Sequence, residues 1–254
     1  MSIRSRRAGG RAEGAGYGQF PDFASGVPHV AGLELSDDFH DPATASWAAT
    51  TIGGSAPTNA LQVPGGWDEV GVHRLTTAAA ADTGGVLTRA AVADLYRVPP
   101  PGATWACKLR MVTGTTSYDL WSGFASATAS VRTADATQFV GVRQDRAVGA
   151  NLYGVVKDGA ASETVVDFGV SCEASAWLVP GFEVDGDTTT PTVQFVLYHP
   201  SNRGSWEREP VGSPISATMP TTNLFSVALG LVARAASARV AEVDFWDLGG
   251  RCAR

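Results

Sequence analysis

Glu242-Val243-Asp244-Phe245-Trp246-Asp247 is the stretch whose residue types and spacing come nearest to catalytic chemistry. Alternation with period two places Glu242, Asp244 and Trp246 on one strand face, two carboxylates beside an aromatic ring. Such a pair can divide acid and base work in glycoside cleavage, with the ring as a sugar platform. The other assignment makes Glu242 and Asp244 an outward polar face, with Val243 and Phe245 in the core. Trp67 and Trp206 are further candidate platforms, though aromatic residues in sandwiches more often pack inside. Asp185-Gly186-Asp187 offers fewer oxygens than calcium requires and suits a solvated hairpin tip. His29, His40, His73 and His199 are scattered, and no Ser/His/Asp or Cys/His arrangement is readable. No Gly-rich loop precedes a helix, so nucleotide binding has no support. Cys107, Cys172 and Cys252 are widely spaced with no CxxC pair, against both a disulfide framework and a zinc site. Cys107, inside an apolar strand pattern, reads as a small buried hydrophobe. No catalytic residue, cofactor or metal ligand is assigned on this basis.

A second kind of chemistry sits at the start of the chain. Arg4, Arg6, Arg7 and Arg11 face a single Glu13 within residues 1–18, which gives this segment +3. With -6 overall, the remainder carries -9, so the charge is segregated. Gly and Ala fill the gaps and no hydrophobic period is present, so the segment cannot fold alone. Tyr17, Phe20 and Phe23 follow as aromatic anchors in a connector broken by Pro21 and Pro28. Arg4, Arg6, Arg7, Arg11, Tyr17, Phe20 and Phe23 are therefore the expected partner-binding residues of an extended docking arm, residues 1–32. The start of the chain is basic but lacks an apolar h-region, unlike a signal peptide. No apolar run approaches a membrane span, which argues against a membrane partner.

The remainder, residues 33–254, must supply a fold. The chain has 254 residues, 44% hydrophobic and only 17% charged, with Gly 29 and Pro 14, a turn-rich usage. Short β-branched and aromatic runs recur at roughly ten-residue spacing with turn residues between them. Gln138–Arg143, Leu152–Lys157 and Glu163–Val170 form a meander at the centre. In its middle run Leu152, Gly154 and Val156 point one way and Tyr153, Val155 and Lys157 the other, so it is expected to be covered on both faces. Trp105, Cys107, Leu109 and Met111 alternate inward against outward Lys108 and Arg110. Val72–Thr76, Gly85–Thr88, Tyr118–Ala125, Trp177–Val184, Val193–Tyr198, Leu224–Val232 and Arg239–Leu248 bring the set to about twelve strands. Residues 52–70 read as loop, and Ala78–Ala81 as a turn that could be helical. The expected core includes Trp105, Leu109, Phe139, Val155, Phe195 and Phe245. The fold class is all-β, an antiparallel two-sheet sandwich.

Five stretches carry a family resemblance over residues 33–250. They are Ser36-Asp37-Asp38-Phe39, Leu95-Tyr96-Arg97 before a Pro-rich bend, and Trp105–Val112. Trp121-Ser122-Gly123-Phe124 with Phe139-Val140-Gly141-Val142, and Ala241–Asp247, complete the set. Their order resembles the concanavalin A-like lectin/glucanase jelly roll, and the arm-bearing, Ala/Gly-rich character is similar to tailed-phage virion modules of that kind. Glu242–Asp247 resembles the Glu-x-Asp-x-x-Glu catalytic strand of such glucanases, but its third acid, Asp247, falls on the opposite face and it lies on the last strand. The resemblance implies a non-enzymatic virion structural protein of a bacteriophage, a capsid decoration or cement protein docked through its arm. A tail-associated or carbohydrate-binding module is the alternative, and a glycan hydrolase a lower one. The implied partners are the major capsid protein or other virion proteins. A homo-oligomer such as a trimer and a glycan stay open, nucleic acid is disfavoured, and the implied location is the virion, assembled in host cytoplasm.

Overall fold

The computed structural model describes residues 32–37, 47–62, 71–89, 102–113, 116–126, 137–146, 149–158, 163–172, 176–185, 191–200, 206–216 and 226–251. In chain order these form β1 (Gly32–Asp37), β2 (Trp47–Ile52), β3 (Thr58–Gln62), β4 (Val72–Thr76) and β5 (Thr83–Arg89). β6 (Thr104–Thr113), β7 (Tyr118–Ala125), β8 (Phe139–Asp145), β9 (Tyr153–Lys157) and β10 (Glu163–Asp167) follow. The last five are β11 (Val179–Asp185), β12 (Thr192–Pro200), β13 (Trp206–Ser216), β14 (Ser226–Ala233) and β15 (Val240–Arg251).

Every pairing among them is antiparallel, and the strands divide into two sheets. Sheet A runs β13-β12-β11-β6-β15-β4-β3, with β1 also paired to β15, and sheet B runs β10-β9-β8-β7-β14-β5-β2. This is the expected two-sheet sandwich. The arm residues Arg4, Arg6, Arg7, Arg11, Tyr17, Phe20 and Phe23 lie outside the described residues.

Period-two alternation decides which side chains meet between the sheets. From sheet A, Trp105, Leu109, Met111, Phe182, Phe195 and Val243 enter the shared core. Sheet B answers with Tyr118, Leu120, Phe124, Val142, Val156 and Leu231. Phe182 stacks on Trp105 at 5.4 Å between ring centroids and meets Phe195 edge-on at 6.2 Å. Fully burying side chains of this size contributes about 1.5–3 kcal/mol each. Gly154 is what lets Phe195 lie against β9, since a Cβ there would stand 2.4 Å from the ring. Cys107 and Cys172 are free and buried, and burial pushes the Cys107 thiol up to about 12.

Phe139 and Val155 are buried as expected, in a second core cluster on the outer face of sheet B, opposite the shared core. The side chain of Phe245 lies outside the described residues. Residues 52–70, expected to be loop, instead contain β3, and Trp206 opens a strand of 11 residues that was not expected. β13 escaped notice because Pro210 and Pro214 interrupt its pattern; it pairs only with β12, at the sheet edge where proline is tolerated. Ala78–Ala81 forms bends and turns, and no helix occurs among the described residues.

The outer face of sheet A carries a closed ionic network. Glu242 accepts from Arg74 Nε at 2.7 Å through Oε1 and from Arg110 Nε at 2.7 Å through Oε2. Asp244 Oδ2 binds Lys108 Nζ at 2.7 Å, and its Oδ1 faces the Gly71 amide at 3.4 Å. Trp177 lies over Arg110 at 4.2 Å and Lys108 at 4.9 Å from the ring centre. Lys108–Asp244 is the most sheltered ion pair of the network, with both side chains at most 2% exposed.

Gly154→Ala is expected to cost about 1–3 kcal/mol through overpacking against Phe195, read from the urea midpoint. An unmoved midpoint would mean that the ring yields freely. Lys108→Met and Asp244→Leu should each cost about 3–5 kcal/mol, and the double variant clearly less than their sum. Simple additivity in denaturant melts would show the two charges to be independent.

Candidate functional site

Asp119 and Asp145 face each other on the outer side of sheet B. Their placement follows from alternation. Tyr118, Leu120 and Phe124 point into the shared core, which turns Asp119, Trp121 and Ala125 outward. On β8 the inward residues are Val140 and Val142, so Phe139, Arg143 and Asp145 share the outward face. The register sets Asp119 directly opposite Asp145 and Trp121 opposite Arg143. Directly opposed residues hold their Cβ atoms about 4.5–5.5 Å apart.

This outer face is sheltered like an interior. Val86, Trp121, Phe139, Val155 and Val232 form its apolar cluster, at most 1% exposed. Gly230 faces Trp121 from β14, and a Cβ there would fall 1.9 Å from the indole. The glycine thus lets the ring lie flat over the neighbouring strand. Farther along the face Arg143 grips Glu163 with two N–H groups, Nη1 to Oε2 at 2.9 Å and Nη2 to Oε1 at 2.7 Å. Lys157, also fully buried, stands opposite both Phe139 and Glu163.

Asp119 itself is 0% exposed. Arg234, just past β14, donates from Nε to Asp119 Oδ2 at 2.5 Å and again from Nη2 to the same oxygen. Its third edge, Nη1, meets Asp82 Oδ1 at 2.6 Å. Asp119 Oδ1 is left without a hydrogen-bond partner, as is Trp121 Nε1 two residues along the same face. Buried polar atoms are nearly always paired, so two such atoms on one strand face set this cluster apart from the satisfied acids of sheet A. Burial raises the Asp119 carboxyl to about 6, against the opposing Arg234 hydrogen bonds, and Asp145 adds to the rise through its charge and a side-chain hydrogen bond. Asp82 and Ser117, the two described non-glycine residues with left-handed backbone (φ 56° and 60°), both border this cluster. Strained backbone of this kind gathers at functional sites.

The acids singled out in the sequence are elsewhere. Glu242 and Asp244 lie on sheet A, with Val243 inward, and the network above occupies both oxygens of Glu242. They are the outward polar face. Trp67 and the side chain of Trp206 lie outside the described residues, as does most of the Asp185–Asp187 loop. His73 is buried on β4, and His199 reaches Glu209 at 2.7 Å on the exposed side of β12. Asp119 and Asp145 went unnoticed although the sequence held a signal: one acid inside the apolar run Tyr118–Ala125 and another closing Phe139–Asp145.

No family model matches the sequence, and no curated protein matches it. Solved structures do match. A protein of unknown function from Shewanella oneidensis MR-1 aligns with a TM-score of 0.55 at 12% identity, covering 88% of this chain and 90% of its own. An endo-beta-1,4-glucuronan lyase from Trichoderma reesei aligns at 0.53 and 10%, covering 85% and 95%. The Bacteroides ovatus mixed linkage glucan GH16, in complex with a G4G4G3G product, aligns at 0.53 and 10%, covering 84% and 99%. Two of these three are carbohydrate-active enzymes, and none of the three descriptions names a virion. That overturns the expected phage capsid decoration protein and the expected lack of enzyme activity, because the strand motifs behind them specify this sandwich and nothing about a capsid. The chain has the jelly-roll fold of concanavalin A-like, GH16-type glucanases.

Proposed function

We propose that this chain is a carbohydrate-active enzyme that cleaves glycosidic bonds on the outer face of sheet B. The observation that carries it is the facing pair Asp119 and Asp145, one member raised to about 6 by burial. Two carboxyl groups held in unlike surroundings divide into acid and base. Asp119 is the acid: Arg234 occupies Oδ2, so the proton resides on Oδ1, where it can pass to the leaving glycosidic oxygen. Asp145 is the second carboxylate. In retaining glycosidases a pair of carboxyl groups about 5–5.5 Å apart brackets the scissile bond. In that chemistry Asp145 attacks the anomeric carbon as the glycosidic bond breaks. Water then releases the sugar, and Asp119 takes the water's proton. Trp121 Nε1 supplies a donor for a sugar hydroxyl beside the acid. The fold shared with a product-bound glucan protein is consistent with a glycan ligand.

The test is digestion of a polysaccharide panel that includes mixed linkage glucan and glucuronan, with products read by mass spectrometry. Asp119→Asn should lower kcat about 10²–10⁴-fold, and wild-type activity should fall as pH rises through about 6. No cleavage by the wild type, or full activity in the Asn variant, would end this assignment.

Stability offers a check that needs no substrate. A carboxyl raised in the folded state holds its proton more tightly there than in the unfolded chain. Its ionisation therefore penalises folding as pH climbs from about 4 to about 6. Across that window the stability gap should move in favour of Asp119→Asn by up to about 3 kcal/mol. A gap constant with pH in denaturant melts would show that Asp119 titrates normally.

A further inference from the structure

Arg234 occupies a position that a surface arginine does not need. Its guanidinium spans a gradient from solvent to interior: the Asp82 side chain is 74% exposed, that of Arg234 14%, and that of Asp119 0%. The segment is tied from several sides. Arg234 N–H donates to Ser117 O at 2.8 Å, and Asp82 N–H donates to Ala233 O at 2.7 Å. Arg239 Nε reaches the same Ser117 carbonyl at 3.4 Å. Three turns, those before β5, before β7 and after β14, are thereby fastened around one guanidinium. Its two inner N–H groups converge on a single carboxylate oxygen instead of spreading over both, as bidentate pairs do. One oxygen is fixed and the other is left over.

We propose that Arg234 is the positioning residue of the Asp119 site: it anchors Oδ2 and so fixes how the carboxyl sits against Asp145, and Asp82 anchors Arg234 from the solvent side. The assignment rests on the proposed glycosidase reading for its consequence, but its geometry does not. Besides Arg234, the charged groups around Asp119 are Asp145 across the strand pair and Asp82 beyond the guanidinium. Arg146, whose amide binds Tyr118 O, and Arg239 at Ser117 O stand on the adjoining turns. Among the described residues, Arg234 is the cation that donates to the Asp119 carboxylate.

The experiment follows the Asp119 carboxyl by ¹³C NMR in the full chain, with Asp119→Asn to assign the resonance. Arg234→Ala should shift the Asp119 midpoint upward, because the hydrogen bonds that favour the charged form are gone. Added guanidinium ion should draw it back toward the wild-type value. Arg234→Lys keeps the charge but loses the fork, and it decides the matter if the Ala variant fails to fold; its midpoint should stay near wild type. In turnover, Arg234→Lys should lower kcat about 10–100-fold with KM nearly unchanged, the loss typical of supporting partners. An unmoved midpoint in folded Arg234→Ala, or wild-type kcat in Arg234→Lys, overturns the positioning role. If the wild type cleaves no glycan, the glycosidase reading falls, and the titration still decides what Arg234 does to Asp119.

Discussion

Burial on both faces of the central strands of sheet B is the constraint on which the rest of this structure depends. All eight residues of β7 and all seven of β8 are buried. In an ordinary half-solvated antiparallel sheet the outward residues are polar and wet. Here Trp121, Phe139 and Val155 fill that side, and any ionisable group among them must find a partner or change its protonation. Arg143 finds Glu163. Asp119 finds Arg234 with one oxygen and, for the remainder, holds its proton to a higher pH. The same burial that stabilises the sandwich is what sets the acid's strength.

Glycine makes this arrangement sterically feasible. On the inner side Gly154 leaves room for Phe195, and on the outer side Gly230 leaves room for Trp121. Both sit in strand interiors, where glycine ordinarily weakens a strand, so their presence marks close approach. Two large rings thus press on sheet B from opposite sides within two strands of the acid pair.

How much was legible in the sequence follows from what alternation can encode. The inward set of β6 was readable residue by residue, because Trp105, Cys107, Leu109 and Met111 alternate with Lys108, Ala106 and Arg110. The faces of β9 were readable too. β3 and β13 were not, since Gly53, Gly54, Pro57, Pro210 and Pro214 break the period that signals a strand. The site was hidden for a different reason. Asp119 and Asp145 are 26 positions apart in sequence, Arg234 is farther still, and only cross-strand register brings them together. A contiguous Glu-x-Asp drew notice because its members are neighbours along one strand, which places them on a common face without saying what stands opposite.

What stands opposite separates the two acid clusters. Glu242 meets a cation at each oxygen, and Asp244 meets Lys108 and a backbone amide, so neither keeps an acceptor or a proton in reserve. Carboxylates satisfied in this way tie strands β4, β6 and β15 together. Asp119 meets an anion across the strand pair and a cation on one oxygen only, which leaves Oδ1 able to give and take a proton near neutral pH. Both clusters are buried acids on outer sheet faces. Counting the partners of each oxygen assigns the first to architecture and is the basis for proposing chemistry at the second.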